Sequence, residues 1–193
     1  MLQFLFVLIG TKVKVEGLNN LKPDTTYLFM ANHVSLFDIP LLGGFVPGIV
    51  RGVEAKRPNH WSLYNLVQRR LGNVPIEREN IHRSVTSIRR TINILNSGRS
   101  MIILPEGHRS MDGVMKPFKK LPFFLAKQTN NNLVPVGLSG LFELKPKGVR
   151  KIKPTTIKIC FGEVISQEKQ DSLSVLELRD YMAKEIAKLI EKP

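Results

Sequence analysis

Short apolar runs alternate along this chain with longer stretches that repeat apolar residues at helical spacing. Residues 26–31 and 101–104 have the length and the apolar content of buried strands. Residues 81–95 and 175–189 instead carry apolar side chains at steps of three and four, as one face of an amphipathic helix does. Strands separated by helices predict an α/β fold with a mixed, mainly parallel central sheet that is flanked by helices.

The remaining predicted elements continue this alternation. Further strands are predicted at residues 11–16, 48–55, 133–138 and 155–161, and helical segments at residues 36–43 and 60–71. Pro135 lies inside one of these runs, and a proline within a strand predicts an edge strand or a bulge. Ser174 and Glu177 have the spacing of a capping box, which places the start of the last helix.

The length of the chain bounds its organisation. It has 193 residues and shows neither an internal repeat nor a long linker, so we predict a single domain over residues 1–193. Its one cysteine, Cys160, excludes an intramolecular disulfide framework and disfavours a cysteine-rich metal site. Residues 1–10 are apolar but too few to span a bilayer, which takes about 20 residues. This first segment is expected either to pack in the core or to contact a membrane interface.

The chain is strongly basic. Lysine and arginine number 29 against 16 acidic residues, which gives a formal net charge of +13. Such an excess favours an anionic partner: nucleic acid, a phosphorylated substrate or an anionic membrane surface. One tryptophan and three tyrosines leave few side chains for base stacking, and no zinc-finger pattern occurs, so we expect no nucleic-acid partner. A basic module that binds nucleic acid or a membrane without catalysis is the alternative to an enzyme.

The first polar cluster follows the predicted strand at residues 26–31 and contains Asn32, His33 and Asp38. Ligands bind at the carboxyl ends of strands in this fold class, so a histidine at this position is a candidate catalytic base. Residues five apart do not share a helix face, but a turn from strand into helix would let Asp38 reach the imidazole. The carboxylate would then accept the Nδ1 proton and leave Nε2 toward a substrate. A buried histidine beside a helix-capping aspartate is the alternative.

Two further clusters carry charge in tight loops. Glu106 and Arg109 flank Gly107 after the predicted strand at residues 101–104, and such a loop can hold a polar head group. His108 adds a second candidate base or metal ligand. Arg78 presents a guanidinium with the shape to bind phosphate oxygens. For both clusters a surface turn with a local ion pair is the alternative.

Metal-dependent and covalent chemistry are disfavoured. His33 and His108 lie in separate predicted loops and the sequence has no His-Glu-x-x-His motif, so we expect no metal ion. No phosphate-binding loop, dinucleotide fingerprint or Gly-x-Ser-x-Gly nucleophile elbow occurs either. Covalent serine catalysis and a metal-dependent hydrolase are therefore weaker hypotheses than a histidine base.

In their order and spacing, these clusters resemble the glycerophospholipid acyltransferase superfamily, especially the lysophosphatidic acid acyltransferases. The resemblance runs from about residue 26 to residue 136 and rests on four blocks. These are Asn-His-x-x-x-x-Asp (Asn32, His33, Asp38), Gly-x-x-x-Ile-x-Arg (Gly72, Ile76, Arg78), Pro-Glu-Gly-Thr-Arg-Ser (Pro105, Glu106, Gly107, Arg109, Ser110) and an apolar-proline-apolar strand (Val134, Pro135, Val136). His108 stands where the third block commonly has threonine.

The resemblance implies an O-acyltransferase of phospholipid biosynthesis that acylates a hydroxyl of lysophosphatidic acid or a related lysophospholipid. The donor would be an acyl thioester, either acyl-CoA or acyl-carrier protein, and no further cofactor is implied. His33 would act as the general base on the hydroxyl, and Asp38 would fix its tautomer and stabilise the imidazolium.

The resemblance also implies how the acceptor is bound. Arg78, Arg109 and Lys56 would bind its phosphate. Glu106 and Gly107 would shape the pocket around it.

A membrane surface is the remaining implied partner. Six basic residues lie near one another late in the chain: Lys145, Lys147, Arg150, Lys151, Lys153 and Lys158. Basic residues at an anionic leaflet contribute about 1 kcal/mol each. We therefore expect a monotopic or peripheral enzyme at the cytoplasmic face of a membrane, held by this charge and by exposed apolar side chains.

Overall fold

The structure is a computed structural model that describes residues 2–48, 50–55, 66, 70, 72–76 and 81–190. Its strands are β1 (Lys12–Glu16), β2 (Tyr27–Ala31), β3 (Arg51–Ala55), β4 (Val74–Ile76), β5 (Met101–Ile103), β6 (Asn132–Ser139) and β7 (Thr156–Phe161). Its helices are α1 (Leu2–Leu8), α2 (Asp38–Phe45), α3 (Ile81–Asn96), α4 (Leu121–Ala126), α5 (Leu141–Leu144), α6 (Gln167–Asp171) and α7 (Val175–Leu189). The predicted helix at residues 60–71 lies largely outside the described residues.

The seven strands of the described residues form one sheet in the order β1-β7-β6-β2-β5-β3-β4. Every neighbouring pair is parallel except β6 and β7, which are antiparallel. The predicted α/β class with a mainly parallel sheet is therefore confirmed. Because β2, β5 and β6 run in one direction, the segments that follow them leave the sheet at one edge, where ligands bind in this fold class.

The strand register brings two of the predicted polar clusters side by side. Met30 of β2 pairs with Ile103 of β5, so the segments after these strands begin at the same level. Asn32 then ties the end of β2 to β6, because its amide donates to the carbonyl of Leu138 at 3.0 Å and accepts from the Leu138 N–H at 2.8 Å. Both polar groups of this buried side chain are satisfied, which fixes where the chain turns toward His33.

The sheet is covered on both faces. All five residues of β2 are buried, and neighbours along the strand belong to opposite layers, Phe29 to one and Leu28 and Met30 to the other. The first layer takes Phe6, Leu41 and Leu42 from α1 and α2, and the second takes Leu95, Phe123, Leu178 and Met182 from α3, α4 and α7. Burial on two faces explains why β2 is uniformly apolar in sequence rather than alternating.

Pro135 lies in a central strand, so the edge-strand alternative is wrong, whereas the bulge alternative is confirmed. Because β6 pairs Val136 with Phe161 but Leu133 with Ile165, the partner segment has one extra residue opposite Pro135. The ladder between β6 and β7 covers Val136–Ser139, and Pro135 lies just before it. Its carbonyl accepts from the N–H of Gly162 at 2.9 Å, on the side where β7 has already ended at Phe161. Since the N–H and C=O of a strand residue point the same way, the N–H that proline lacks would face a segment beyond β7 rather than the ladder.

Residues 2–8 form a helix with two different sides. Phe6 is buried and packs edge-on against Phe37 and Phe45, with ring centroids 6.2 Å apart in both pairs. The exposed apolar residues of the same helix include Phe4, Val7 and Leu8, at 62%, 68% and 70% exposure. The helix therefore contributes to the core and also presents apolar surface. No described helix combines the length and the apolar character needed to cross a membrane.

The last helix begins as its sequence predicts. Ser174 accepts from the N–H of Glu177 at 3.3 Å, and the Glu177 carboxylate accepts from the N–H of Ser174 at 2.8 Å. This reciprocal capping box satisfies two backbone donors that a helix start leaves without partners.

Candidate active site

The two residues of the first cluster meet at the carboxyl end of β2. His33 Nδ1 lies 2.6 Å from Asp38 Oδ2, so the contact that the spacing predicted is present. Asp38 is the first residue of α2 and is fully buried, while the His33 side chain keeps 18% exposure. The carboxylate is therefore shielded from water and the imidazole is accessible from outside.

Asp38 folds back onto the turn that precedes it. Its Oδ2 accepts from the backbone N–H of Val34 at 2.8 Å and from that of Ser35 at 3.0 Å. The alternative of a helix cap is wrong, because the carboxylate binds the N–H groups of residues before α2. Burial raises the pKa of Asp38, and its contacts with His33 and with these two N–H groups oppose the rise.

These contacts define the tautomer of the imidazole. The backbone N–H groups make the Asp38 oxygens acceptors, so Nδ1 of His33 is the atom that donates to them. Nε2 then carries the lone pair and can take a proton from a neighbouring hydroxyl. Two backbone donors and a buried carboxylate thus orient a base.

Glu106 connects the loop after β5 to this turn. Its Oε1 accepts from the backbone N–H of His33 at 2.6 Å, and its Oε2 accepts from the backbone N–H of Lys116 at 2.8 Å. Burial raises the pKa of Glu106, and the two N–H donors lower it again toward the ordinary value. The local ion pair between Glu106 and Arg109, which was the alternative for this cluster, is absent from the described residues, where Arg109 is half-buried in the same loop.

The loop after β5 also binds the backbone carbonyl of His33. The backbone N–H of Ser110 donates to the carbonyl of His33 at 2.8 Å. Gly107 turns the loop with φ 76°, a positive value that glycine adopts without steric cost. An added Cβ at Gly107 would meet only Lys119, at 3.7 Å, so the backbone conformation rather than space requires glycine here.

The second cluster is described only in part. Gly72 has φ 76°, a backbone conformation that favours glycine, and an added Cβ there would displace the flexible guanidinium of Arg51. Ile76 is the last residue of β4 and pairs with Ala55. Arg78 and Lys56, two of the predicted phosphate ligands, lie outside the described residues.

His108 is exposed, unlike His33. Within the described part of the chain, no group of three histidine, cysteine, aspartate or glutamate residues has the arrangement of a metal site.

Sequence reasoning missed the contacts made by backbone atoms around His33. The Ser35 hydroxyl donates to the carbonyl of Lys145 at 2.9 Å, which ties the turn between His33 and Asp38 to the segment after α5. The backbone of Lys116 binds Glu106, although its side chain pairs instead with Asp112. A sequence pattern carries no signal for such contacts, because any residue except proline supplies the same N–H group.

The fold and the paired residues at its edge agree with the sequence comparison. The family model described as Acyltransferase matches residues 12–139 of the 193, and the chain belongs to this family. The match runs from β1 to the end of β6 and so includes every described site residue.

Its relatives are named for one reaction. The chain is 29% identical over 169 residues to the chloroplastic 1-acyl-sn-glycerol-3-phosphate acyltransferase LPAT1 of Arabidopsis thaliana, covering 84% of this chain and 46% of that protein. It is 27% identical over 174 residues to the 1-acyl-sn-glycerol-3-phosphate acyltransferase of Limnanthes douglasii, covering 90% and 60%. The chain therefore spans about half the length of the curated relatives it matches.

A solved structure has the same fold. The crystal structure of PlsC, the 1-acyl-sn-glycerophosphate acyltransferase of Thermotoga maritima, superposes with a TM-score of 0.82 at 30% sequence identity. The superposition covers 97% of this chain and 74% of that one.

Proposed function

We propose that this protein is an O-acyltransferase that moves an acyl group from a thioester donor to a hydroxyl of lysophosphatidic acid or a related lysophospholipid. The observation that carries the proposal is the 2.6 Å contact between His33 Nδ1 and Asp38, at the ligand-binding edge of the sheet. The names of the relatives in the acyltransferase family supply the acceptor. Phospholipid biosynthesis follows as the biological setting.

The reaction proceeds by direct attack. Nε2 of His33 takes the proton of the acceptor hydroxyl while the oxygen forms a bond to the thioester carbonyl carbon. The tetrahedral intermediate then collapses, the carbon–sulfur bond breaks, and the imidazolium returns the proton to the leaving sulfur. General-base assistance of this kind contributes about 10²–10⁴-fold in rate. Asp38 stabilises the imidazolium between the two proton transfers.

The acceptor phosphate is bound by cations of the second and third clusters. Arg109 lies half-buried in the loop that also holds His33, so its guanidinium can bind the phosphate of a molecule whose hydroxyl faces the base. We assign Arg78 and Lys56 to the same phosphate from the family resemblance. Gly107 shapes this loop through its positive φ.

The donor is acyl-CoA or acyl-carrier protein, used as a co-substrate without a further cofactor or metal. Because a thioester carbonyl is reactive toward an alkoxide-like oxygen, the chemistry needs no covalent enzyme intermediate. We propose no nucleic-acid partner.

A membrane-binding rim, formed by α1 and the basic loop at residues 145–153, lies beside the proposed site. The loop starts beside the site, where the carbonyl of Lys145 accepts from Ser35. It ends beside α1, because an added Cβ at Gly10 would contact Pro154 at 3.8 Å. The rim therefore joins the exposed apolar side chains of α1 to a run of cations.

Charge and apolar area on this rim favour an anionic lipid surface. Arg150, Lys151 and Lys153 are exposed, and Val149 before them and Ile152 among them are exposed apolar residues. Lys158, predicted to belong to this cluster, instead pairs with Glu16 at 2.8 Å across β1 and β7. We propose that the protein associates peripherally with the cytoplasmic face of a membrane, where a lysophospholipid acceptor resides.

An acyl-transfer assay tests the proposed function. Purified protein is incubated with lysophosphatidic acid and other lysophospholipids, with either acyl-CoA or acyl-carrier protein as donor, and the lipids are analysed by mass spectrometry. We expect phosphatidic acid or a close analogue, and a loss of about 10²-fold or more in His33→Ala with an unchanged melting temperature. Full activity in His33→Ala, or no acylated lipid with any pair of substrates, would contradict the proposal.

The non-catalytic alternative is tested by binding. Flotation with anionic vesicles is compared with a nucleic-acid titration at the same salt concentrations. We expect binding to the vesicles, and a protein that binds nucleic acid more tightly and transfers no acyl group would be a basic binding module instead.

A further inference from the structure

We infer that Glu106 is a positioning residue that fixes the backbone of His33, rather than a ligand of the acceptor. This inference rests on the proposed function, because it gives Glu106 its role through the proposed base. It differs from the role implied by family resemblance, in which Glu106 shapes the acceptor pocket.

Both carboxylate oxygens of Glu106 are already occupied. Oε1 binds the N–H of His33 at 2.6 Å and Oε2 binds the N–H of Lys116 at 2.8 Å, and the residue is only 3% exposed. Each oxygen keeps a further lone pair, but the burial of the residue leaves a substrate hydroxyl little access to it. A phosphate would be repelled by the carboxylate. The geometry therefore leaves Glu106 poorly suited to bind the acceptor.

The loop that carries Glu106 holds His33 at both of its peptide groups. Glu106 accepts from the N–H of His33, and the N–H of Ser110 donates to its carbonyl at 2.8 Å. Asp38 holds the imidazole itself through Nδ1. Backbone and ring are thus fixed independently, and the position of Nε2 depends on both.

Backbone hydrogen bonds also hold the loop that carries Glu106. The N–H of Gly107 donates to the carbonyl of Leu104 at 3.1 Å, and the N–H of Lys119 donates to the carbonyl of Pro105 at 2.8 Å. Through Oε2, Glu106 also joins the loop to Lys116, whose ammonium pairs with Asp112. Glu106 therefore links three chain segments, and its loss would free the N–H of His33 while the Ser110 N–H still binds the His33 carbonyl.

Glu106→Gln is the informative change. It keeps one acceptor oxygen but turns an amide NH₂ toward one of two N–H donors, so one of the two hydrogen bonds is lost. A misplacement of about 1 Å at a reacting group costs on the order of 100-fold in rate. We expect kcat to fall about 10- to 100-fold while the KM for lysophosphatidic acid changes by less than about twofold.

Steady-state kinetics on lysophosphatidic acid separates the two roles. Arg109→Ala is the reference for a lost acceptor contact and is expected to raise KM. A rise in KM with unchanged kcat in Glu106→Gln would overturn the inference, because it would place Glu106 among the acceptor ligands. The effects of Glu106→Gln and Asp38→Asn are expected to be less than additive, since both act through His33; full additivity would also count against it.

Amide NMR supplies a readout that does not depend on activity. In the unaltered protein the His33 amide proton should resonate downfield, as expected for a short bond to a carboxylate, and Glu106→Gln should move the His33 and Lys116 signals while those of α7 stay in place. Unmoved His33 and Lys116 signals in a folded variant would overturn the inference. A protein without any turnover would defeat the proposed function and leave this test intact.

The unaltered protein gives a second test in case Glu106→Gln does not fold. The carboxyl carbon of Glu106 is followed by NMR during a titration with glycerol 3-phosphate, a soluble fragment of the acceptor. We expect Arg109 signals to shift and the Glu106 carboxyl signal to stay in place. A saturable shift of the Glu106 signal that tracks binding would show contact with the acceptor and overturn the inference.

Discussion

Two regions at the same edge of the sheet are built in opposite ways. The His33 corner, residues 32–38 and 104–110, consists of buried carboxylates that accept hydrogen bonds from backbone N–H groups. The membrane-binding rim, α1 and the basic loop, instead exposes apolar and cationic side chains such as Leu8 and Arg150. The two regions touch at Ser35 and Lys145.

The difference follows from what each region is proposed to do. Proton transfer depends on distances of a few tenths of an ångström, so the His33 corner fixes each group by two or more contacts. Binding to a lipid surface depends on charge and on apolar area, which many arrangements supply. Single substitutions should therefore have large effects in the His33 corner and small, roughly additive effects in the rim.

The largest loss of activity is expected for Asp38→Asn. If this loss is not observed, the contrast between the His33 corner and the rim does not hold. The amide cannot accept from Nδ1 and from the backbone as a carboxylate does, so the tautomer and the imidazolium lose their support. We expect kcat to fall by about 10²–10⁴-fold, measured in the acyl-transfer assay. Asp180→Asn is the matched control, because Asp180 is an exposed residue of α7 that pairs with Arg179. Similar activity losses in both variants would remove the special role of Asp38.

The second-largest effect is expected for Arg109→Ala, which should weaken the binding of the acceptor. A charge-assisted hydrogen bond contributes about 1.5–3 kcal/mol, so the KM for lysophosphatidic acid should rise about 10- to 150-fold. The control Arg179→Ala removes an arginine from α7 and should leave KM unchanged. An acceptor KM that does not respond to Arg109→Ala would place the phosphate elsewhere.

Gly107→Ala tests the backbone of the His33 corner. Forcing a Cβ into the left-handed region costs about 1–2 kcal/mol. Gly98→Ala is matched, because Gly98 also has φ 76° but lies after α3, away from the site. Chemical denaturation should show comparable losses of stability, whereas activity at a temperature where both are folded should fall only in Gly107→Ala. Equal activities would show that the shape of the loop does not matter.

Rim substitutions should have smaller effects. Arg150→Ala and Lys151→Ala should each weaken flotation with anionic vesicles by about 1 kcal/mol, or about fivefold, and the losses should add. Lys184→Ala on α7 is the control for a cation outside the rim. Catalysis on a soluble acceptor should stay within about twofold. Vesicle binding that is insensitive to both rim changes would show that the protein does not bind through this surface.

The pH dependence of stability should give the smallest effect. Because burial raises the pKa of Asp38, the folded protein binds more protons than the unfolded chain above the ordinary value of 3.8, and this contribution to stability declines as pH rises. The free energy of unfolding of the parent relative to Asp38→Asn should therefore fall as the pH rises above the ordinary pKa of 3.8 in urea titrations.

The parent compared with Asp180→Asn should show a pH dependence of the free energy of unfolding with the opposite sign. The hydrogen bond from Arg179 lowers the pKa of Asp180, so its contribution is present above the ordinary value and is lost as pH falls. The same pH trend in both variants would contradict the account of Asp38.

Much of the fold is predictable because it depends on local patterns. The apolar run of β2 and the stripe of α3 are decided by residues close in sequence. The choice between an edge strand and a bulge at Pro135 could not be made from sequence, because the end of β7, which lies later in the chain, decides which N–H groups need partners. The pairing of Lys158 with Glu16 is likewise non-local, since it needs the parallel register of β1 and β7.

The contacts of the candidate site are likewise either local and predictable or non-local and not predictable from sequence. The contact of His33 with Asp38 was predictable, since it spans five residues and uses two side chains of distinctive chemistry. The role of Glu106 was not, because its partners are backbone N–H groups that any sequence provides. Sequence identifies the groups proposed to react, whereas the contacts that place them appear only when the strands are paired.

The most direct test of the central claim is the protonation state of the His33 ring, measured by ¹⁵N NMR of the imidazole at neutral pH. The account predicts a proton on Nδ1 that resonates downfield, and loss of that signal in Asp38→Asn. A proton on Nε2, or an unchanged Nδ1 signal in Asp38→Asn, would contradict the proposal that Asp38 orients His33 as the base.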